Sequence, residues 1–211
     1  MIWMDLLSTN GFSGRIPFTD SGQVHNVKQI TSKREKKLNQ NGNALEFVFQ
    51  NGEELIRNIF FNVHNVIAAF SDYFWNILKD THQDQLFEEK DRAFLVLLTT
   101  FISIRIEMEM QAIYEEYGDD VYEKLGEYVL SYYESFLVNF VENVEEFAVF
   151  LMNNAHETVV SNEGKASDIL LALQFRKIAG TDIEISPSAF HPLMPALSEG
   201  VNLADVIENN I

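Results

Sequence analysis

Two sets of side chains in this sequence have the types and spacing to do chemistry. The first is a histidine with an arginine two helical turns before it, His64 and Arg57. An imidazole and a guanidinium at that spacing could line a small-ligand or enzymatic pocket between bundle helices, with tyrosines nearby. No second partner for His64 is visible nearby, so it is a candidate ligand-binding pair and not a catalytic assignment. The second set is Glu123, Glu127, Glu134 and Glu145. In a continuous helix these lie within ~40° of one another, and the stripe from Glu123 to Glu145 would be ~33 Å long. Such a face would receive a partner with a basic surface; carboxylates standing where phosphates would be, as in a nucleic-acid mimic, or a merely solvated face are the other readings.

The remaining histidines are His25, His82, His156 and His191. No His-Glu-x-x-His and no Glu-x-x-His pair occurs, so neither the usual zinc nor the usual di-iron bundle signature is present, and no metal site is expected. "DTHQD" places Asp80, His82 and Asp84 in a connector, and "EEYGDD" gathers Glu115, Glu116, Asp119 and Asp120 at a turn. Both read as solvated acidic turns, because calcium-loop spacing is lacking. "NEGKAS" has Val159 where a phosphate loop needs glycine, and "GFSG" is a residue short of a nucleophile elbow. A helix-turn-helix in "LALQFRKIAGTDIEISPSAF" would have no basic residue on its recognition helix. No cofactor motif and no catalytic residue emerges.

Charge and composition narrow the classes further. The formal net charge is −17, unevenly placed. Residues 1–52 carry six Lys and Arg against four Asp and Glu; residues 53–211 carry nine against 28. Ordinary nucleic-acid binding by that acidic body is not expected. The one basic run, Lys33 to Lys37, suits a solvated edge or a contact with an acidic surface. Cysteine is absent, which excludes disulfides, thiolate nucleophiles and Cys-based zinc sites, and fits a cytoplasmic protein. The N-terminal "MIWMDLL" lacks a basic region and makes a poor signal peptide.

The elements that must position these side chains are mostly helical. With 4 Pro and 10 Gly in 211 residues, long helices are permitted, and 17 Phe imply a Phe-rich core. Residues 1–52 read as a mixed or β segment packed on the main body: "ALEFVF" alternates Leu45, Phe47 and Phe49, and a β-hairpin pairing part of 24–37 with 44–49 is the favoured reading there, with a short helix over "KQITSKREKKL" as the competitor. From Glu53 the period becomes helical, through Ile56, Phe60, Val63, Ile67 and Phe74. A second helix is expected over 85–117, stopped by Gly118, with Asp119 capping a third over 120–155. These two should form a long αα-hairpin. A shorter helix from Ser167 to Gly180 and an irregular arm with Pro187, Pro192 and Pro195, holding a short helix near Leu203–Ile207, complete the chain.

"RAFLVLLTTFISIR" holds twelve uncharged residues between Arg92 and Arg105. A membrane span needs ~20 apolar residues, so the stretch is too short by about a third. It reads as the central helix of a bundle, wrapped by its neighbours, with "IEMEMQAIYEEYG" emerging into solvent beyond it. The expectation is therefore a mainly α protein: an antiparallel helical bundle at 53–211 built on the αα-hairpin, with a small N-terminal β-hairpin element. Its expected function is that of a non-enzymatic interaction module of inhibitor, immunity or accessory-regulator type, free or as a homo-oligomer, with no membrane span. The rivals are a small-ligand-binding or enzymatic bundle with its site near His64, and a membrane-active helical hairpin.

Overall fold

The computed structural model of the chain describes residues 24–87, 89–180, 183–200 and 202–211, and side chains from Asn39 onward. The chain divides into two units, Met1–Leu38 and Asn39–Ile211. All regular structure among the described residues is helical: α1 (Val24–Ala69), α2 (Ser71–Asp80), α3 (Lys90–Tyr117), α4 (Asp119–Leu137), α5 (Val144–Val160), α6 (Ser167–Ala179), α7 (Pro195–Ser198) and α8 (Leu203–Glu208). The protein is thus mainly α, and the part of the expected mixed or β segment that falls on 1–23 lies outside the described residues.

The strand expected at Ala44–Phe49 is instead part of α1, and so is its expected pairing partner over 24–37. The physical reason is that the segment carries two periods at once. Leu45, Phe47 and Phe49 alternate, but Ala44, Val48, Leu55, Ile59 and Val63 recur at helical spacing, and it is this second set that is buried. Packing against α4 selects it. Tyr128 on α4 donates its hydroxyl to the Phe49 carbonyl (3.3 Å), and Phe60 meets the rings of Tyr132, Tyr133 and Phe136. Gly52 permits the approach: a Cβ there would stand 2.6 Å from the Tyr128 ring. The helical period also runs through the composition change at residue 53, so α1 continues to Ala69 and breaks at Phe70 before α2.

α3 is the element on which the others converge. It packs against α2, α4, α5, α6, α7 and α8. Leu97 to Glu107 are buried without interruption, including Thr99, Thr100 and Ser103. The hydroxyls of Thr99, Thr100 and Ser103 return to carbonyls of the preceding turn, so they cost little in an apolar setting. Among the described residues, no helix is long and apolar enough to cross a membrane. One expectation about α3 holds only in part. "IEMEMQAIYEEYG" emerges on one side only, through Met108, Tyr114, Glu115 and Glu116, while Ile106, Met110, Ile113 and Tyr117 continue the core stripe and carry Glu107 and Glu109 inside with them. Gly118 (φ 80°) ends the helix, and Asp119 opens α4 rather than capping it. Across this turn Tyr114 meets Tyr122 (5.7 Å), and Met110 reaches Gly126.

The helix expected over 120–155 is two helices, α4 and α5, separated by residues 138–143. Val138, Val141 and the asparagines at 139 and 143 are weak helix formers, and the break lets α5 pack on both α3 and α4. Beneath α2 and α6, Phe74, Phe87, Phe101, Phe175 and Phe190 form one aromatic cluster with ring centroids 5.4–6.1 Å apart.

Candidate functional site

The structure distributes the glutamates of the expected stripe over two helices. Glu123, Glu127 and Glu134 remain on one side of α4, the first two exposed and Glu134 half-buried. Glu145 lies beyond the break, exposed in the first turn of α5, where a carboxylate suits the helix dipole. Glu127 pairs with Lys124 (2.6 Å), which also lies over the rings of Phe49 and Tyr128. Between Lys124 and Lys165 the sequence has no Lys or Arg, so beyond Lys124 the charged groups that α4 and α5 themselves supply are carboxylates and one imidazole, His156.

His64 and Arg57 stand two helical turns apart on α1. Both are exposed on α1. Arg57 faces Glu54 (3.8 Å), and the His64 ring meets the edge of Phe94 at 6.0 Å. A cavity of about 210 Å³ lies elsewhere, between Tyr73, Ile77 and Thr81 of α2 and the segment 184–189. Among the described residues, no three His, Asp or Glu side chains converge as a metal ion would require.

Sequence reasoning missed a polar seam along α3. Arg105 and Glu109, both buried, pair at 2.7 Å. Arg105 also donates to the Leu197 carbonyl at the end of α7, and Glu109 accepts the Leu203 N–H at the start of α8 (2.8 Å). The cation therefore stands at a helix C-terminus and the anion at an N-terminus, the favourable polarity at each. Tyr117 adds a longer bond to the Ala204 carbonyl. On another side of α3, Ser103, Gln174 of α6 and Thr158 of α5 form a buried hydrogen-bonded chain, each link 3.1 Å. Glu107 takes a bond from Gln111 and meets His156 Nδ1 at 2.9 Å. Burial pushes the Glu107 carboxyl above the ordinary range, against the opposing pull of His156. The neighbouring Tyr133 hydroxyl is fully buried, finds no hydrogen-bond partner among the described residues, and is driven upward by desolvation and by Glu107. A sequence signal for the seam exists: the apolar spacing Ile106, Met110, Ile113, Tyr117 continues past Arg105, so the charged residues between them share a helix that is still covered along that stripe.

Chemically, the seam is a set of helix-to-helix fasteners closed off from solvent, apart from His156. The exposed features are the carboxylates of α4 and α5 and the apolar side chains among them. Comparison with protein-family models, curated proteins and solved structures finds no match to this chain.

Proposed function

We propose that this chain is a non-enzymatic protein-interaction module, of inhibitor, immunity or accessory-regulator type, acting in the cytoplasm. Its α4 face, Glu123, Glu127 and Glu134, with Glu145 at the start of α5, takes a partner with a basic surface. The supporting arrangement is an antiparallel bundle built on the α3–α4 hairpin, in which α3, α5 and α1 cover other sides of α4 and Glu123 and Glu127 stay exposed. The observation that carries the reading is the unbroken run from 125 to 164 without a Lys or Arg, on two helices whose glutamates at 123, 127 and 145 are exposed. Glu127 is paired with Lys124, but the excess of carboxylates over cations would raise the encounter rate with a basic protein and disfavour acidic ones.

The test is affinity capture from extracts of the native host, with the parent chain and the Glu123→Lys/Glu127→Lys/Glu134→Lys variant as paired baits of equal thermal stability. The reading expects a protein with a basic surface in the parent capture alone. The same proteins in equal yield on both baits would remove it.

A further inference from the structure

We propose that the turn joining α4 to α5 is a docking corner for a cationic amphipathic helix of a partner protein. This deepens the interaction reading above and rests on it. Val138 and Phe140 are 59% and 57% exposed, and Glu142, Glu145 and Glu146 are exposed within the next six residues. All five sit in one nine-residue stretch, so chain length alone keeps them within ~30 Å. None of the three glutamates pairs with a cation among the described residues. The apolar part is held from behind: the Phe140 ring lies 6.0 Å from Phe136, whose own ring is 6.1 Å from Phe60 of α1.

A single exposed phenylalanine is ordinary. Here two exposed apolar side chains and three exposed carboxylates occupy the break between α4 and α5 and the first turn of α5. The complementary ligand offers an apolar stripe to Phe140 and Val138 and flanking Lys or Arg to the glutamates, as a helix does with apolar residues at i, i+3, i+4 and i+7. Anionic lipid and nucleic acid are repelled by the same carboxylates.

The probe is a synthetic peptide of about 18 leucines and lysines at that spacing, with a control of the same composition in alternating order. Amide NMR of the full chain reads where each binds. The expected result is shifts centred on 138–146 for the helical peptide. Its affinity should fall at least tenfold with Phe140→Ser, and separately with Glu142→Gln/Glu145→Gln/Glu146→Gln, both variants melting with the parent. Shifts centred elsewhere, equal binding of the control, or unchanged affinity with Phe140→Ser overturns the corner. So does a dimer that Phe140→Ser abolishes, since the occupant is then a second copy, and so does capture by zwitterionic vesicles in place of the peptide. The two readings fail separately. If Glu123→Lys/Glu127→Lys/Glu134→Lys alone abolishes partner capture and Phe140→Ser leaves it intact, the corner is wrong and the α4 face stands; the converse result removes the face and keeps the corner.

Discussion

Arg105 and Glu109 stand 2.7 Å apart, one turn apart on α3, and between them they hold both short helices of the C-terminal arm. Taking two charges out of water costs several kcal/mol per ion, so such a pair fixes register more than it adds stability. Removing one partner strands the other. Arg105→Met should cost about 3–5 kcal/mol in chemical denaturation, and Glu109→Gln a comparable amount. The double variant should cost clearly less than their sum. Amide exchange over 195–208 should speed up in each single variant before the rest of the fold is affected, and protection equal to the parent's would count against the latch.

Gly52 and Gly42 are both in α1, with opposite surroundings. A side chain at 52 runs into the Tyr128 ring, whereas nothing lies within 4 Å of a Cβ at 42. Gly52→Val should destabilise by about 1–3 kcal/mol through overpacking. Gly42→Ala should stabilise by about 0.5–1 kcal/mol by restricting the unfolded chain. Two melting curves decide the matter, and shifts of the same sign would contradict the α1–α4 packing.

The Tyr133 hydroxyl is buried without a partner among the described residues, beside the buried Glu107. An unmet hydroxyl carries its full desolvation cost, so Tyr133→Phe should raise stability by about 1 kcal/mol. A loss of stability on that change would mean that the hydroxyl is satisfied in solution.

Glu107 gives a pH dependence with a definite sign. Burial raises its carboxyl in the folded state above 4.5, the value the unfolded chain approaches. A raised group contributes stability that is fully present below the unfolded value and is lost as pH rises through the folded one. The parent should therefore lose stability relative to Glu107→Gln as pH climbs from 4.5, and the gap should level off once the folded carboxyl is ionised. Denaturation of both proteins from pH 4 to 8 measures this, and a parent that gains stability relative to Glu107→Gln with rising pH would reverse the assignment.

The Ser103–Gln174–Thr158 chain separates a broken network from a removed one. Gln174→Met alone strands the Thr158 hydroxyl and should cost about 1–3 kcal/mol. Ser103→Ala/Thr158→Val/Gln174→Met together should restore most of that loss, since apolar replacements of similar shape leave no donor unmet.

The burial of Ala93–Ile104 was legible because twelve uncharged residues are too few for a bilayer and too many for a surface face. The turn at Gly118 was legible from its glycine, and a short helix was expected near Leu203–Ile207; its cap, Asn202, which accepts the Asp205 N–H, was not read from the sequence. Residues 44–49 were not, because Leu45, Phe47 and Phe49 support one period and Ala44 and Val48 another, and only the neighbouring Tyr128 and Phe60 contacts choose between them. The break at 138–143 was equally hidden: each Val or Asn weakens a helix by a few tenths of a kcal/mol, while the gain from seating α5 against α3 is tertiary. Of the site, the glutamates could be named, but their division between two helices could not. The α3 seam was missed because its charged residues looked like the start of a solvated end, when the stripe from Ile106 to Tyr117 was already carrying them inward.

α3 lies near the middle of the chain, yet its coverings come from both directions, α2 before it and α4 through α8 after it. During synthesis its uncharged centre therefore leaves the ribosome ahead of most of the helices that enclose it, α4 to α8. Until those helices follow, the apolar run of α3 stays uncovered on the sides they will occupy.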